Sequence, residues 1–507
     1  MYTGFIEKIF EYAVSGRIEA GEKLYRDFIE IPFVVKNETN FLLIEFTYEG
    51  EGCRLMIGLI DSTNSLRGWC SRGDKKYTVF ISRNSASLGY IPGDIVEGMW
   101  RVFVRLDNVP KYGCIYTLKV VGYNTELSNM DFDNLGKVVS NLAKILDLQK
   151  FLKEYPEFFL VHVFPYPCRE HLESREKNTQ ERSSSRWYRG DLHIHTVHSD
   201  GRFTVCEVID LARSKGLDFI ALTDHNTIAQ NIEFTKIGRS RDILVIPGME
   251  ITTFYGHVNV FGINRYIDFR RRSKEDFEKL IEEIKNERGL ASINHPVVSR
   301  EPICRDCDFK YRDIENFDTV EVWNGLWHLF NNEALSWWHN LLAKGYRVTA
   351  IGGSDYHGVY VVADIGEPTT WVYAENLTVE DILKNIKKGR VYITYKPDTP
   401  IIDVKIFDKK GNVYTIGDDV ENTDKNVDLI IQVEKAKGAI LRIVTDKAIH
   451  RIANITENNF IYRERIDIED TKFIRIEIGN YSNPYELIPQ NSDDILAITN
   501  PIYIKTP

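Results

Sequence analysis

Hydrophobic and polar positions change pattern several times along the chain. Between residues 31 and 123, short β-type runs recur: "FLLIEFTY", "CRLMIGLI", "YTVFIS", "WRVFVRL" and "YTLKVVGY". Turn residues separate them, among them Pro92-Gly93-Asp94, so this part predicts an antiparallel β-sandwich. Before it, "MYTGFIEKIFEYAVSG" mixes Glu7, Lys8 and Glu11 with apolar residues. That predicts a short amphipathic helix rather than a signal peptide or a spanning segment. From 131 to 156 apolar residues fall at helical spacing, and 168–186 is a polar, charged stretch that predicts an exposed connection.

From 188 to about 395, short apolar strands alternate with helical segments, which predicts a parallel β/α architecture. The strands are "DLHIHT", "DFIALTDH", "DILVIPGME", "GHVNVFGI", "LASINHP", "DTVEVWN", "RVTAIGGSD" and "TTWVYAE". Thr204 and Glu207 have the spacing of a capping box, and Gly216 suits the stop of the same helix. Thr378 and Asp381 open a last helix. After Pro397 and Pro400, β-type runs return. The expected organisation is an N-terminal β domain over 1–130, a helical and charged connector over 131–187, an α/β unit over 188–396 and a C-terminal β domain over 397–507.

Composition narrows the function classes. The chain has 507 residues, too many for one core, and 43% are hydrophobic. A net charge of −10 provides no field for nucleic acid or an anionic membrane, so neither is an expected partner. The run Arg270-Arg271-Arg272-Ser273-Lys274 reads as a solvated helix start. Seven cysteines, an odd number without a framework, suit a reduced, cytoplasmic setting. Cys304 and Cys307 form a C-x-x-C and read as free thiols, with a redox or metal role as the alternative.

The α/β unit has a chemical regularity: nearly every strand ends in a group able to bind metal. His193 and His195 lie two apart and share a face. Asp224 and His225, then Glu250, then His257, then Asn294 and His295, then Asp355 and His357 follow at later strand ends, and the opening turn adds His198 and Asp200. The carboxyl ends of parallel barrel strands meet on one face. Six histidines, two aspartates and one glutamate would make nine ligands: His193, His195, Asp200, His225, Glu250, His257, His295, Asp355 and His357. An ion that keeps a position open for water takes three or four protein ligands, so nine imply two to three divalent ions. Imidazole and carboxylate suit zinc, manganese or iron. No G-x-G-x-x-G or P-loop pattern points to another cofactor.

"DLHIHTVHSDG", "LTDHN", "GMEIT…GH", "NHP" and "GGSDYH" resemble the polymerase-and-histidinol-phosphatase (PHP) superfamily. "RGDLHIHT", "VEVWNG" and "GGSDYHG" resemble its CehA/McbA-type metallohydrolases, and "GYIPGDIVEGMWRV" resembles their companion domain. The resemblance implies a distorted (β/α)7 barrel, flanked here by N-terminal and C-terminal β-sandwich-like domains, with up to three metals. By the same resemblance His193, His195, Glu250 and Asp355 hold the first ion. Glu250 bridges to a second, completed by His257 and His295. Asp200, His225 and His357 hold the third; some members have His where this chain has Asp200.

The expected function is a metal-dependent hydrolase with a multinuclear centre and a bridging hydroxide, acting as a phosphoesterase on a small phosphorylated substrate. The same hydroxide attacks carbonyls, so a carbamate or carboxylic-ester hydrolase is the alternative, and a binding module with little catalysis is a third. Asp224 and His198 are candidate proton donors. Asp224 reads equally as a carboxylate that fixes a ligand imidazole, and His198 as a solvent-exposed turn residue. Arg202 and Arg300 are candidate phosphate contacts. Asn226, Trp323 and Asn324 are candidate pocket residues, with core packing as the other reading of Trp323 and Trp327.

Overall fold

The structure is a computed structural model that describes residues 7–124, 163–164 and 185–505, apart from 72, 74, 238–242, 298–305, 359–362 and 422–424. The helix expected over 131–156 and nearly all of the connection expected over 168–186 lie outside the described residues.

The amphipathic helix expected at the start is a strand instead, Glu7–Ile18, antiparallel to Cys114–Asn124. Phe10, Tyr12, Val14 and Ile18 turn inward while Glu11, Ala13, Ser15 and Arg17 face solvent, a period of two. A neighbouring strand decides the matter, because a run this short satisfies either period. The strand joins a six-stranded sheet that faces a second sheet of Phe28–Val35, Gly98–Asn108, Arg54–Ile60 and Leu66–Trp69. Phe33, Phe46, Leu55 and Trp100 fill the core between them. Cys53 and Cys114 are disulfide-bonded to each other, and Cys206 and Cys307 each take part in a separate disulfide. The free-thiol reading of Cys307 is therefore wrong, and cysteine usage gives no argument for a reducing compartment.

Seven of the eight strands expected in the α/β unit form; the first lies over Arg186–Asp191, ahead of the expected "DLHIHT", and Val391–Thr394 adds a ninth. Their hydrogen-bonded order runs Thr349–Gly353, Thr319–Asn324, Leu290–Ile293, Gly256–Phe261, Leu244–Thr253, Phe219–Leu222, Arg186–Asp191, Thr369–Ala374 and Val391–Thr394. The expected uniformly parallel barrel is not what they build. Gly256–Phe261 pairs antiparallel with both neighbours, as does Thr369–Ala374. The first case has a local cause: only Phe254 and Tyr255 separate Thr253 from Gly256, too few for a parallel crossover. Gly256, at φ +119, closes this hairpin.

The ladder is also open. Its ends do not pair; instead the Thr370 hydroxyl donates to Gly352 O (2.7 Å), and one bridge joins Ile194 to Tyr356. Val391–Thr394 pairs onward with Asp494–Thr499, so the sheet runs into the C-terminal β region. There a second sheet, Ile401–Phe407 with Asn426–Glu434 and Asn459–Asp467, covers the buried residues Leu441, Ile443, Ile476 and Ile478. Three helices among the described residues start at side-chain caps. Thr204 Oγ1 accepts from Glu207 N–H, Ser273 caps Lys274–Asn286 and Thr378 caps Val379–Lys387.

The basic run before Ser273 is not merely solvated. Arg270 pairs with Asp268 (2.8 Å) and with Glu30 of the N-terminal sandwich (2.6 Å), and Arg271 pairs with Glu283 (2.9 Å). Arg270 stands beside the apolar seam between the two units, where Phe269 meets Trp69 edge-on with ring centroids 5.2 Å apart. Phe103 stacks on Trp69 at 5.7 Å. Truncating the buried Phe269 removes that contact and leaves a cavity. Phe269→Ala is expected to lower stability by about 3–5 kcal/mol in chemical denaturation. A loss below about 1 kcal/mol would contradict this seam.

Candidate metal centre

The centre starts where the Arg186–Asp191 strand stops. Asp191 accepts hydrogen bonds from the N–H groups of His193 (3.2 Å), Ser354 (3.0 Å) and Gly366 (2.8 Å). Its burial pushes its carboxyl pKa up to about 6 against these bonds. Asp191 thereby fixes the start of both ligand-bearing segments, 193–200 and 354–357. Ile194 points into the core, and His193 and His195 point the other way, ring centroids 5.1 Å apart.

Carboxylates and ring nitrogens then converge. Asp355 Oδ1 lies 3.3 Å from His193 Nε2 and 3.0 Å from His195 Nε2. Glu250 Oε1 lies 3.4 Å from His193 Nε2, 3.1 Å from His257 Nδ1 and 3.5 Å from His295 Nε2. Its Oε2 lies 2.7 Å from His225 Nδ1 and 3.6 Å from His195 Nε2. Asp200 Oδ1 lies 3.5 Å from His225 Nε2 and 3.2 Å from His357 Nε2. Among the described residues, ligand atoms within mutual reach form four groups: His195, Asp200, His225 and His357; His193, His195 and Asp355; His193, Glu250 and His295; and His257, His295 and Cys307. All nine expected ligands fall in these groups.

These residues fit metal ions on three grounds. Two ligands about 2.1 Å from one ion at a tetrahedral angle sit about 3.4 Å apart, close to most of these separations. The buried Nε2 atoms of His193 and His195 lie 3.0–3.4 Å from carboxylate oxygens without hydrogen-bond geometry, and His257 Nε2 has no hydrogen-bond partner among the described residues. The remaining nitrogen of several rings is held by an acceptor, as metal-binding imidazoles require. His193 Nδ1 meets Glu321 Oε1 (2.8 Å), His225 Nδ1 meets Thr252 Oγ1 (2.6 Å) and His357 Nδ1 meets Asp355 O (2.7 Å).

Electrostatics agree. Burial pulls His195 down to about 3, helped by His357 and His225, and burial takes His257 to about 4, so both present neutral rings. Burial alone would raise Glu250 and Asp355, but the surrounding imidazoles hold both well below the usual carboxylate range. Burial disfavours a charge on His357, yet Asp200 lifts it to about 10. A proton retained there balances the Asp200 carboxylate.

The backbone is strained around this centre. Asn226, His295 and Asp355 adopt φ of 53°, 25° and 54°, unusual for residues with a side chain and concentrated at the strand ends.

Other expected residues lie elsewhere or act differently. Asp224 accepts from Thr196 N–H (2.9 Å), Thr196 Oγ1 (2.9 Å) and Ser199 Oγ (2.6 Å), so it shapes the 196–199 turn instead of gripping a ligand ring. His198 is 2% exposed, which overturns its reading as a solvent-exposed turn residue. Its Nε2 meets Glu233 Oε2 (2.6 Å), and its Nδ1 accepts from Gly89 N–H of the N-terminal sandwich (3.3 Å). These bonds clamp the Asp200-bearing turn to the N-terminal unit. Asn226 is a buried clamp that bonds both backbone groups of Thr252 (2.8 and 3.0 Å). Trp323 is core: its ring meets Trp327 at 5.2 Å and its N–H donates to Gly325 O (3.0 Å). Asn324 does reach the centre, with Nδ2 3.1 Å from Glu321 Oε2 and 3.4 Å from Asp355 Oδ2. Arg202 is exposed beside it, its N–H donating to His357 O (3.0 Å). Arg300 lies outside the described residues.

Glu321 is the functional residue that sequence reasoning missed. It holds His193 through Oε1 and the His295 N–H through Oε2 (3.0 Å). The signal was present: a glutamate inside the apolar run "DTVEVWN", where a charge is rare without a partner.

Residues 191–312 match the PHP domain family. An uncharacterized protein of Methanocaldococcus jannaschii is 32% identical over 161 residues, 29% of this chain and 90% of that protein. A 3',5'-nucleoside bisphosphate phosphatase of Chromobacterium violaceum is 35% identical over 78 residues, which span 15% of this chain and only 27% of that enzyme. Among solved structures, a two-domain protein of Bacteroides vulgatus containing a predicted PHP-like metal-dependent phosphoesterase covers 63% of this chain and 96% of its own, at 20% identity and a TM-score of 0.36. On the family match, the chain contains a PHP domain.

Proposed function

We propose that the protein is a metal-dependent phosphoesterase that holds two to three divalent ions, zinc, manganese or iron. The observation that carries this reading is the convergence of nine imidazole and carboxylate groups at the spacing of shared ligands. When bound, such ions supply Lewis acidity and lower the pKa of water. Glu250 supports more than one ion, because its two oxygens face different imidazole sets. Glu321 and Thr252 keep His193 and His225 turned towards the carboxylates, and Asn324 steadies Asp355. Phosphate esters are favoured as substrates because a related enzyme is named for a nucleoside bisphosphate. Exposed Arg202, beside His357, adds a cation suited to phosphate oxygens.

Purified protein assayed on aryl phosphate monoesters, phosphate diesters and carboxyl esters, alongside metal analysis, tests this reading. Phosphate-ester turnover that disappears on chelation and in His193→Ala is expected. Turnover of the carboxyl ester or a carbamate alone would sink the phosphoesterase reading. A fully loaded protein with one ion per chain would sink the multinuclear one.

Glu321→Gln keeps the shape of the side chain but removes the charge that orients His193. Metal affinity is expected to fall roughly 10- to 100-fold with the far-ultraviolet circular dichroism unchanged. Unchanged affinity would show that Glu321 does not position the ligand.

A further inference from the structure

A tenth group lies among the nine. Cys307 Sγ is 4.0 Å from His257 Nδ1, and Sγ falls within 4.8 Å of a ring nitrogen of both His257 and His295. All three residues are buried. His257 Nε2 and His295 Nδ1 have no hydrogen-bond partner. The segment carrying Cys307 is anchored on both sides. Phe309 N–H donates to Pro296 O (3.1 Å), Lys310 N–H donates to Tyr255 O (2.9 Å), and Asp306 pairs with Arg105 of the N-terminal sandwich (3.2 Å). The sulfur is thus held beside these two imidazoles by fixed backbone.

Cys307 is disulfide-bonded. A disulfide sulfur carries no charge, whereas a thiolate is a strong, soft ligand. We propose that Cys307 is a redox-controlled ligand of the ion held by His257 and His295. The disulfide withholds the sulfur, and reduction releases it to complete the set. This rests on the metal reading given under the proposed function.

The reductant is a dithiol. It passes two electrons to the disulfide, the S–S bond breaks, and the dithiol closes to its own disulfide. The two freed cysteines take up the two protons the dithiol gives up. Cys307 then loses its proton to solvent as the sulfur bonds the cation. The added thiolate shifts preference at this position from manganese towards zinc.

Cobalt(II) reports both parts. Histidine- and carboxylate-bound cobalt gives weak visible bands, and a thiolate ligand adds a strong near-ultraviolet charge-transfer band. Cobalt-loaded full-length protein is compared in three forms: oxidised wild type, wild type reduced with dithiothreitol, and Cys307→Ser reduced in the same way. Loss of the Cys53–Cys114 bond is then common to both reduced samples. Visible bands are expected in all three and the charge-transfer band in reduced wild type alone. Its absence from reduced wild type with visible bands intact, or its presence in Cys307→Ser, overturns the proposal. Absence of every cobalt band overturns the metal reading with it.

Discussion

Everything in the central unit depends on one electrostatic constraint. Glu250, Asp355 and Asp200 face six imidazoles at about the separation of ligands sharing an ion, and most of these groups are buried. Buried carboxylates without a compensating cation are costly. Protons supply part of that compensation, as the raised pKa of His357 beside Asp200 shows. Neighbouring carboxylates raise His193, His225 and His295 as well, whereas burial keeps His195 and His257 neutral. Cations held by the same groups would compensate the carboxylates in place of protons.

The fold delivers these groups by stopping strands early. The Arg186–Asp191 strand ends before His193, and Asp191 then pins the backbone that carries both His193 and Asp355. Left-handed residues at Asn226, His295 and Asp355 turn the chain where regular strands would carry it past. The strain is sustained by clamps such as Asn226 on Thr252 and Glu321 on His295. The N-terminal sandwich takes part as well. Gly89 reaches His198, and Trp69 and Phe103 bury Phe269, so the turn bearing Asp200 leans on a separate unit.

Much of this was legible in the residues. Short apolar runs marked seven of the central strands, and the nine candidate ligands stood out because His, Asp and Glu recurred at strand ends. Other features depend on contacts that no local pattern encodes. Glu7–Ile18 is a strand because Cys114–Asn124 lies beside it. The antiparallel hairpin at Gly256 was written in two intervening residues, but a general β/α grammar masked it. His198 read as a proton donor or an exposed turn residue and is an interdomain clamp, because its partners, Glu233 and Gly89, are 35 and 109 residues away. Glu321 was hidden for the opposite reason: it lies within a strand, not at the end where ligands were sought.

The most direct test of the central claim is anomalous diffraction from crystals grown with manganese, recorded on both sides of its absorption edge. The account requires at least two peaks per chain, one between Asp355 Oδ1 and the His193 and His195 Nε2 atoms, and another sharing Glu250 with His295. A single peak, or density only at surface carboxylates, would contradict it.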